Sequence, residues 1–282
     1  MTMRRGLIIS ALAAVALATA ACGGGAANAL QSVASAASKT AGVQTVKFHM
    51  DLSETIGPLG PFKFTADGAS DNATHSADMT MDLSSIASLA GSQAGSPDQW
   101  NAHVVLDGGG AIPLLYMQLP ALDKYLNGKT WVKADLGALA QERGIDLNQL
   151  FQAAGNQDPT KVLQMLQSVG NVSKVGTAAI DGVDTTEYSG TIDVQKAAAA
   201  LGPGYEKLLS GSKVSSIPVD VWIGSDGLVR RLHENLSYDV NGTQATTDLT
   251  MNLTDFGAPV TVTTPPADQV IDLSQLKGAL TH

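Results

Sequence analysis

The chain has 282 residues, with 17 Lys and Arg against 26 Asp and Glu, giving a formal net charge of −9. An acidic chain without basic clusters argues against nucleic-acid binding and against electrostatic docking on anionic lipid. Only 15% of its residues are charged, while Thr, Ser, Ala and Gly are plentiful. This suits an extracytoplasmic β-protein better than a cytosolic enzyme.

The N-terminus carries Arg4 and Arg5, then an apolar or small-residue run from Leu7 to Ala21. A basic start, a short apolar stretch and small residues before a cut site describe an export signal. The run is too short for a spanning helix, which needs about 20 apolar residues. Cys22, the only cysteine, follows Thr19, Ala20 and Ala21 and precedes Gly23, Gly24 and Gly25. This arrangement resembles the lipobox of bacterial lipoproteins, with Thr19 where that motif usually has Leu, Val or Ile. The resemblance implies diacylglycerol on the Cys22 thiol and anchoring to the outer face of the cell membrane. A plain secretory signal is the alternative, but it leaves a lone cysteine without a disulfide partner. The expected organisation is a lipoprotein signal peptide over 1–21, a flexible tether over 22–29 and a single domain over 30–282. Gly23 to Ala29 supplies the tether, and Leu30 to Thr40 has the composition of a weak helix.

Period two then takes over. Val46, Phe48, Met50 and Leu52 alternate with Lys47, His49 and Asp51, the pattern of a half-buried strand. Phe62 and Phe64 continue it, as do Met79, Met81 and Leu83. Two more strands are predicted over Trp100 to Asp107 and Leu114 to Leu119, joined through Gly108, Gly109 and Gly110. Asn127-Gly128 signals a tight turn before a strand at Lys129 to Asp135.

The middle of the chain changes character. Leu136, Leu139, Ala140, Leu147, Leu150 and Phe151 recur at helical spacing, with Gly144 as a break. Asp158-Pro159 opens a second predicted helix whose stripe is Val162, Leu163, Leu166 and Val169. Strands return at Val183 to Asp193, after the Asp181-Gly182 turn. Gln195 to Leu209 looks helical, interrupted by Gly202, Pro203 and Gly204. A hairpin follows: Ile217 to Ile223, a turn at Gly224-Ser225-Asp226-Gly227, then Leu228 to Val240. Asn241-Gly242 leads into Thr243 to Phe256, and a short segment, Val270 to Leu276, ends the pattern. The expected fold class is α+β: an antiparallel sheet of about ten or eleven strands with one apolar side, covered by a few α-helices.

No catalytic or metal constellation is present in the pattern. His49, His75, His103, His233 and His282 are scattered, and no nucleophile elbow, phosphate loop or H-E-x-x-H occurs. No cofactor is expected. The methionines say more: Met50, Met79, Met81, Met117 and Met251 all fall on predicted strands with apolar residues two positions away. Methionine is unbranched and adapts to irregular partners, so such a face suits either flexible acyl chains or gap-filling beneath helices. Alternation nominates Phe48, Met50, Leu52, Phe64, Met79, Met81, Val105, Leu115, Met117, Val219, Val221, Leu249 and Met251 as cavity residues. The helices around Leu147 to Phe151 and Val162 to Val169 are candidates for a movable rim.

The stretch Pro218-Val219-Asp220-Val221-Trp222-Ile223-Gly224-Ser225-Asp226-Gly227-Leu228-Val229-Arg230-Arg231, taken with the lipobox and the one-sided meander, resembles the actinobacterial LppX/LprG-type lipoproteins of the LolA-like group. Gly128 to Leu136 and Tyr188 to Val194 fit the same style, and the likeness covers roughly residues 30 to 275. It implies a strongly curved half-barrel closed by helices over a hydrophobic cavity, with no catalytic residues. It also implies binding of lipid, acylated glycolipid or other lipidated molecules and their carriage within the cell envelope; a monomer is expected. The competing reading is a non-carrier envelope lipoprotein with a closed core, acting as a protein-interaction or sensor module. An enzyme is a third reading, which a cluster of inward-facing polar side chains would revive.

Overall fold

The computed structural model of the chain describes residues 21–87, 95–110, 112–142, 169–201, 214–240 and 242–275. The strands are β1 (Thr45–Ile56), β2 (Pro61–Asp71), β3 (Ser76–Asp82), β4 (Asn101–Asp107), β5 (Leu114–Gln118) and β6 (Trp131–Asp135), then β7 (Val169–Ile180), β8 (Val183–Asp193), β9 (Ser216–Gly224), β10 (Val229–Val240), β11 (Thr243–Thr254) and β12 (Val270–Asp272). They form one curved, open, twelve-stranded sheet in the order β12-β6-β5-β4-β3-β2-β1-β11-β10-β9-β8-β7. Helices α1 (Ala21–Ala41), α2 (Leu136–Glu142) and α3 (Val194–Leu201) accompany it.

Neighbouring strands are antiparallel, as hairpin connections require, except where β12 runs parallel to β6. The sheet is two meanders joined at one seam, where β1 pairs with β11 from Lys47↔Thr254 to Ile56↔Ala245. The turns obey local chemistry. Asp181 and Gly182 both have positive φ, 49° and 78°, which makes the two-residue link between β7 and β8. Asn127 and Gly128 do the same ahead of β6, at 52° and 80°.

Three expectations change. The sequence pattern does not mark β7, and it assigns Val169 to a helix. The pairing of β7 with β8 shifts register between Gly170 and Ser173 and again between Lys174 and Gly176; each bulge breaks the alternation that would reveal a strand. Residues 22–29 lie within α1 rather than forming a tether. Ala29 and Ala36, two helical turns apart, are both buried, and that packing holds the helix despite its glycines. Trp100 belongs to a 3-10 turn, Pro97–Trp100, ahead of β4. Most of the predicted helix over Leu136 to Phe151 beyond Glu142, the one from Asp158 onward, the C-terminal half of Gln195 to Leu209, and the signal segment lie outside the described residues.

One row of side chains crosses the sheet through its registers: Ile271, Val132, Met117, Val104, Met79, Gly68, Phe48 and Leu253. Gly68 is the gap in this row. A Cβ there would sit 2.7 Å from Phe48 Cζ, 2.6 Å from Met79 Cβ and 2.7 Å from the Asp78 carbonyl oxygen. Phe48 therefore lays its ring over a glycine, the arrangement that compensates a side-chain-free site in a strand.

The opposite face is mostly polar and paired, with Val105 and Trp131 buried on it. His49 sits between Asp67 at 2.7 Å and Asp51 at 3.2 Å, and His103 meets Asp78 at 2.8 Å. His233 lies between Asp248 at 3.1 Å and Asp220 at 3.4 Å. The hydrogen bond and charge of Asp67 raise the pKa of His49 above the ordinary 6.5. Burial pulls His233 down, but the hydrogen bonds and charges of Asp248 and Asp220 outweigh it and leave its pKa raised. Asp248 is held below the usual carboxylate range by Asn235 and then by His233.

Folding thus favours both imidazolium forms. Their stabilisation is complete below the ordinary histidine pKa and fades as pH rises through the elevated value; the share of Asp248 is lost only as pH falls through its lowered one. Replacing His49 or His233 with Asn is expected to cost up to about 0.5 kcal/mol near pH 5 and less near pH 8, given partial solvent screening. Denaturant melts at the two pH values check this, and a larger loss at the higher pH contradicts it. Gly68→Ala is expected to destabilise by about 1–3 kcal/mol through overpacking. Adding Phe48→Leu should recover part of that loss, measured as a double-mutant cycle.

Candidate functional site

The row through Phe48 is one of several that make a continuous apolar face. Met50 opposes Met251 on one side and Ala66 on the other, and the row continues through Met81 and Ala102. In the other direction Met251 opposes Leu232, then Val221 and Tyr188. The next row joins Phe64, Leu52, Leu249, Glu234 and Val219. Met50, Met79, Met81, Met117 and Met251 therefore share one side of the sheet, as their spacing predicts.

Of the nominated residues, Phe48, Met50, Leu52, Phe64, Met79, Met81, Leu115, Met117, Val219, Val221, Leu249 and Met251 fall on this face. Val105 does not. It pairs with Asp78 and Tyr116 and is fully buried on the other side, while Val104 takes the place between Met79 and Met117. Two adjacent valines hide the parity of β4; the polar neighbours His103 and Asp107, which share the face of Val105, reveal it. The nominated set also leaves out Leu253, which alternates in phase with Leu249 and Met251, as well as Ala66, Ala102, Val132 and Leu232; the registers place all five on the apolar side.

Two flanks of this face are covered. On one, Val33 and Ala36 of α1 pack on Val219, Val221, Ile223 and Val229, with Tyr188, Ile192, Leu232 and Leu253 around them. Thr40 fixes the helix end by accepting the Val229 amide at 2.9 Å, and the Lys39 ammonium donates to the Asp226 carbonyl in the β9–β10 turn. On the other flank, the 3-10 turn Pro120–Tyr125 brings Ala121 and Leu122 onto the Met79, Met81, Val104 and Met117 region, beside Leu119. Leu126, Val132 and Ile271 close its far end.

Between the flanks lie Phe48, Met50, Leu52, Phe64, Leu249 and Met251. They are half-buried and belong to none of the buried clusters formed by the described residues.

Toward the end of β1 the face turns polar. Tyr238 donates to the Glu54 carboxylate, and the Thr247 hydroxyl lies 3.5 Å from the Tyr238 oxygen. Glu54 raises the phenol pKa of Tyr238 above its ordinary value. Among the described residues no group of three His, Cys, Asp or Glu is placed to hold a metal ion.

No family model matches the chain. In sequence it is similar to an uncharacterized 31.2 kDa protein in the rplA-rplJ intergenic region of Streptomyces griseus, at 24% identity over 156 residues, 53% of this chain and 50% of that one. It is also similar to lipoprotein LprA of Mycobacterium tuberculosis, at 29% identity over 109 residues, 38% of this chain and 41% of LprA. The chain thus spans half or less of the length of these relatives. Among solved structures it is similar to the Mycobacterium tuberculosis lipoprotein LppX, with a TM-score of 0.48 and 19% identity, covering 84% of this chain and 99% of that one. The LprA match bears out the resemblance carried by the residues: the chain is similar to the LppX/LprG-type lipoproteins.

Proposed function

We propose that this protein is an envelope lipoprotein that holds the acyl chains of a lipid against its apolar sheet face and carries them between membranes. One observation carries the reading. The central strands β1, β2 and β11 present Phe48, Met50, Leu52, Phe64, Leu249 and Met251 as a half-buried apolar surface that no buried cluster of described residues includes. A sheet with one greasy side must bury it, and unbranched methionine conforms to flexible chains. At about 0.8 kcal/mol per methylene, shielding one sixteen-carbon chain is worth on the order of 10 kcal/mol. The lipoprotein relative LprA supports the extracytoplasmic, envelope-associated setting.

Catalysis fits the geometry less well, although polar side chains do face inward. A nucleophilic phenol needs a lowered pKa, and Glu54 moves Tyr238 the other way.

Attachment in this reading comes from diacylglycerol on Cys22, the lone cysteine that follows the apolar N-terminal run. Cys22→Ser is expected to shift the protein from the membrane fraction to the soluble fraction on cell fractionation; unchanged partition contradicts lipidation. Organic extraction of the purified protein, read by mass spectrometry, should release acyl lipid. Met50→Trp should reduce that lipid several-fold with little change in melting temperature. In a closed core the same overpacking would cost about 1–3 kcal/mol, and that loss, with no lipid in the extract, supports the interaction-module reading instead.

A further inference from the structure

The apolar rows contain one carboxylate. Glu234 stands between Leu249 of β11 and Val219 of β9 in register, with Leu232 and Leu236 two positions away along β10 on the same side. Its strand neighbours His233 and Asn235 point to the wet face, where both bond Asp248. Glu234 is half-buried, and among the described residues no hydrogen bond or ion pair satisfies it. The row through Glu234 holds Phe64, Leu52, Leu249 and Val219, so it contains no cation. The other carboxylate of the face, Glu54, is taken by Tyr238.

A half-buried carboxylate without a partner carries a desolvation cost. Burial accordingly pushes the Glu234 carboxyl above its ordinary pKa, and the charge of His233 across the sheet pulls it partly back. A donor group arriving with a ligand would relieve that cost. A second anion would add repulsion in a region of low dielectric, where charge interactions are stronger than in water.

We infer that Glu234 is a specificity-determining residue of the lipid-binding face: it favours an amphiphile whose polar part is uncharged and donates hydrogen bonds, and it disfavours one whose polar part is anionic at that point. The inference rests on the proposed lipid-binding function and adds which polar chemistry the face accepts. The position suits the role, because Glu234 lies where the purely apolar rows give way to the polar rim of Glu54, Tyr238 and Thr247. A ligand with its chains on the methionine rows would place its polar part here.

The test compares two probes that share a chain and a glycerol, 1-palmitoylglycerol and its 3-phosphate, by equilibrium binding to the full-length protein. The protein's overall negative charge could also disfavour the phosphate, so a control removes the same charge from the opposite face. Glu187 opposes Trp222, which in turn opposes Arg231 on the wet side, and Glu187→Gln serves as that control. The wild type and Glu187→Gln are expected to prefer the uncharged lipid about tenfold, and Glu234→Gln to bring the two within about twofold. An unchanged preference in Glu234→Gln overturns the assignment, as does equal binding of both lipids by the wild type or loss of the preference in Glu187→Gln. If neither lipid binds any of the three proteins, the lipid-binding function itself fails, and the assignment fails with it.

Discussion

The pairing of β1 with both β2 and β11 is the constraint on which the rest depends. Side chains in a strand alternate with a period of two, so a slip of one residue would exchange every inward and outward position. In the observed register Phe48, Met50 and Leu52 meet Leu253, Met251 and Leu249 on one side and Gly68, Ala66 and Phe64 on the other. The same register sets His49 beside Asp67 on the opposite face. Apolar matching and charge pairing therefore select the same alignment, and local and long-range preferences agree. The seam also joins the chain's first strand to one of its last, which gathers two separate meanders into one surface.

Much of that surface is legible in the residues. The alternation of Met79 and Met81, or of Leu249 and Met251, gives the parity of a strand without knowledge of its partners. The parts that escape do so for physical reasons. In β4 two adjacent valines satisfy either parity, and only the flanking His103 and Asp107 show which is inside. In β7 two bulges erase the periodicity altogether. Glycines in residues 23–25 suggest slack chain, yet the buried alanines Ala29 and Ala36 hold the segment in a helix through tertiary packing, which routinely overrides local propensity. Gly68 becomes meaningful only when pairing brings Phe48 to it. Glu234 is in phase with Leu232 and Leu236, but a lone acid among alternating residues reads as decoration until the registers place it in an apolar row.

Burial is distributed unevenly over the face. Helix α1 and the 3-10 turn Pro120–Tyr125 approach from opposite sides, and each builds a compact cluster with the strands beneath it. These clusters anchor the sheet, with β-branched residues such as Val219, Val221 and Ile223 packed under α1. The middle strands are furnished differently, with Met50, Met251, Phe48 and Phe64. Under α1 the fixed contacts are β-branched, whereas under the Pro120–Tyr125 turn Met79, Met81 and Met117 share the packing with Val104. Val221 lies inside a buried cluster and Met50 lies outside all of them, so substitutions at the two positions differ in what they cost the fold.

The two ends of the sheet, β7 and β12, are not neighbours in the strand order. A closed barrel has its radius set by strand number and shear. Here no such closure condition applies, and α1 and the Pro120–Tyr125 turn pack on the two wings. In the proposed carrier role, an unclosed sheet leaves the width of its apolar side free of that rule, so that cargo of greater or lesser girth could be met without breaking any rung of the β-ladder.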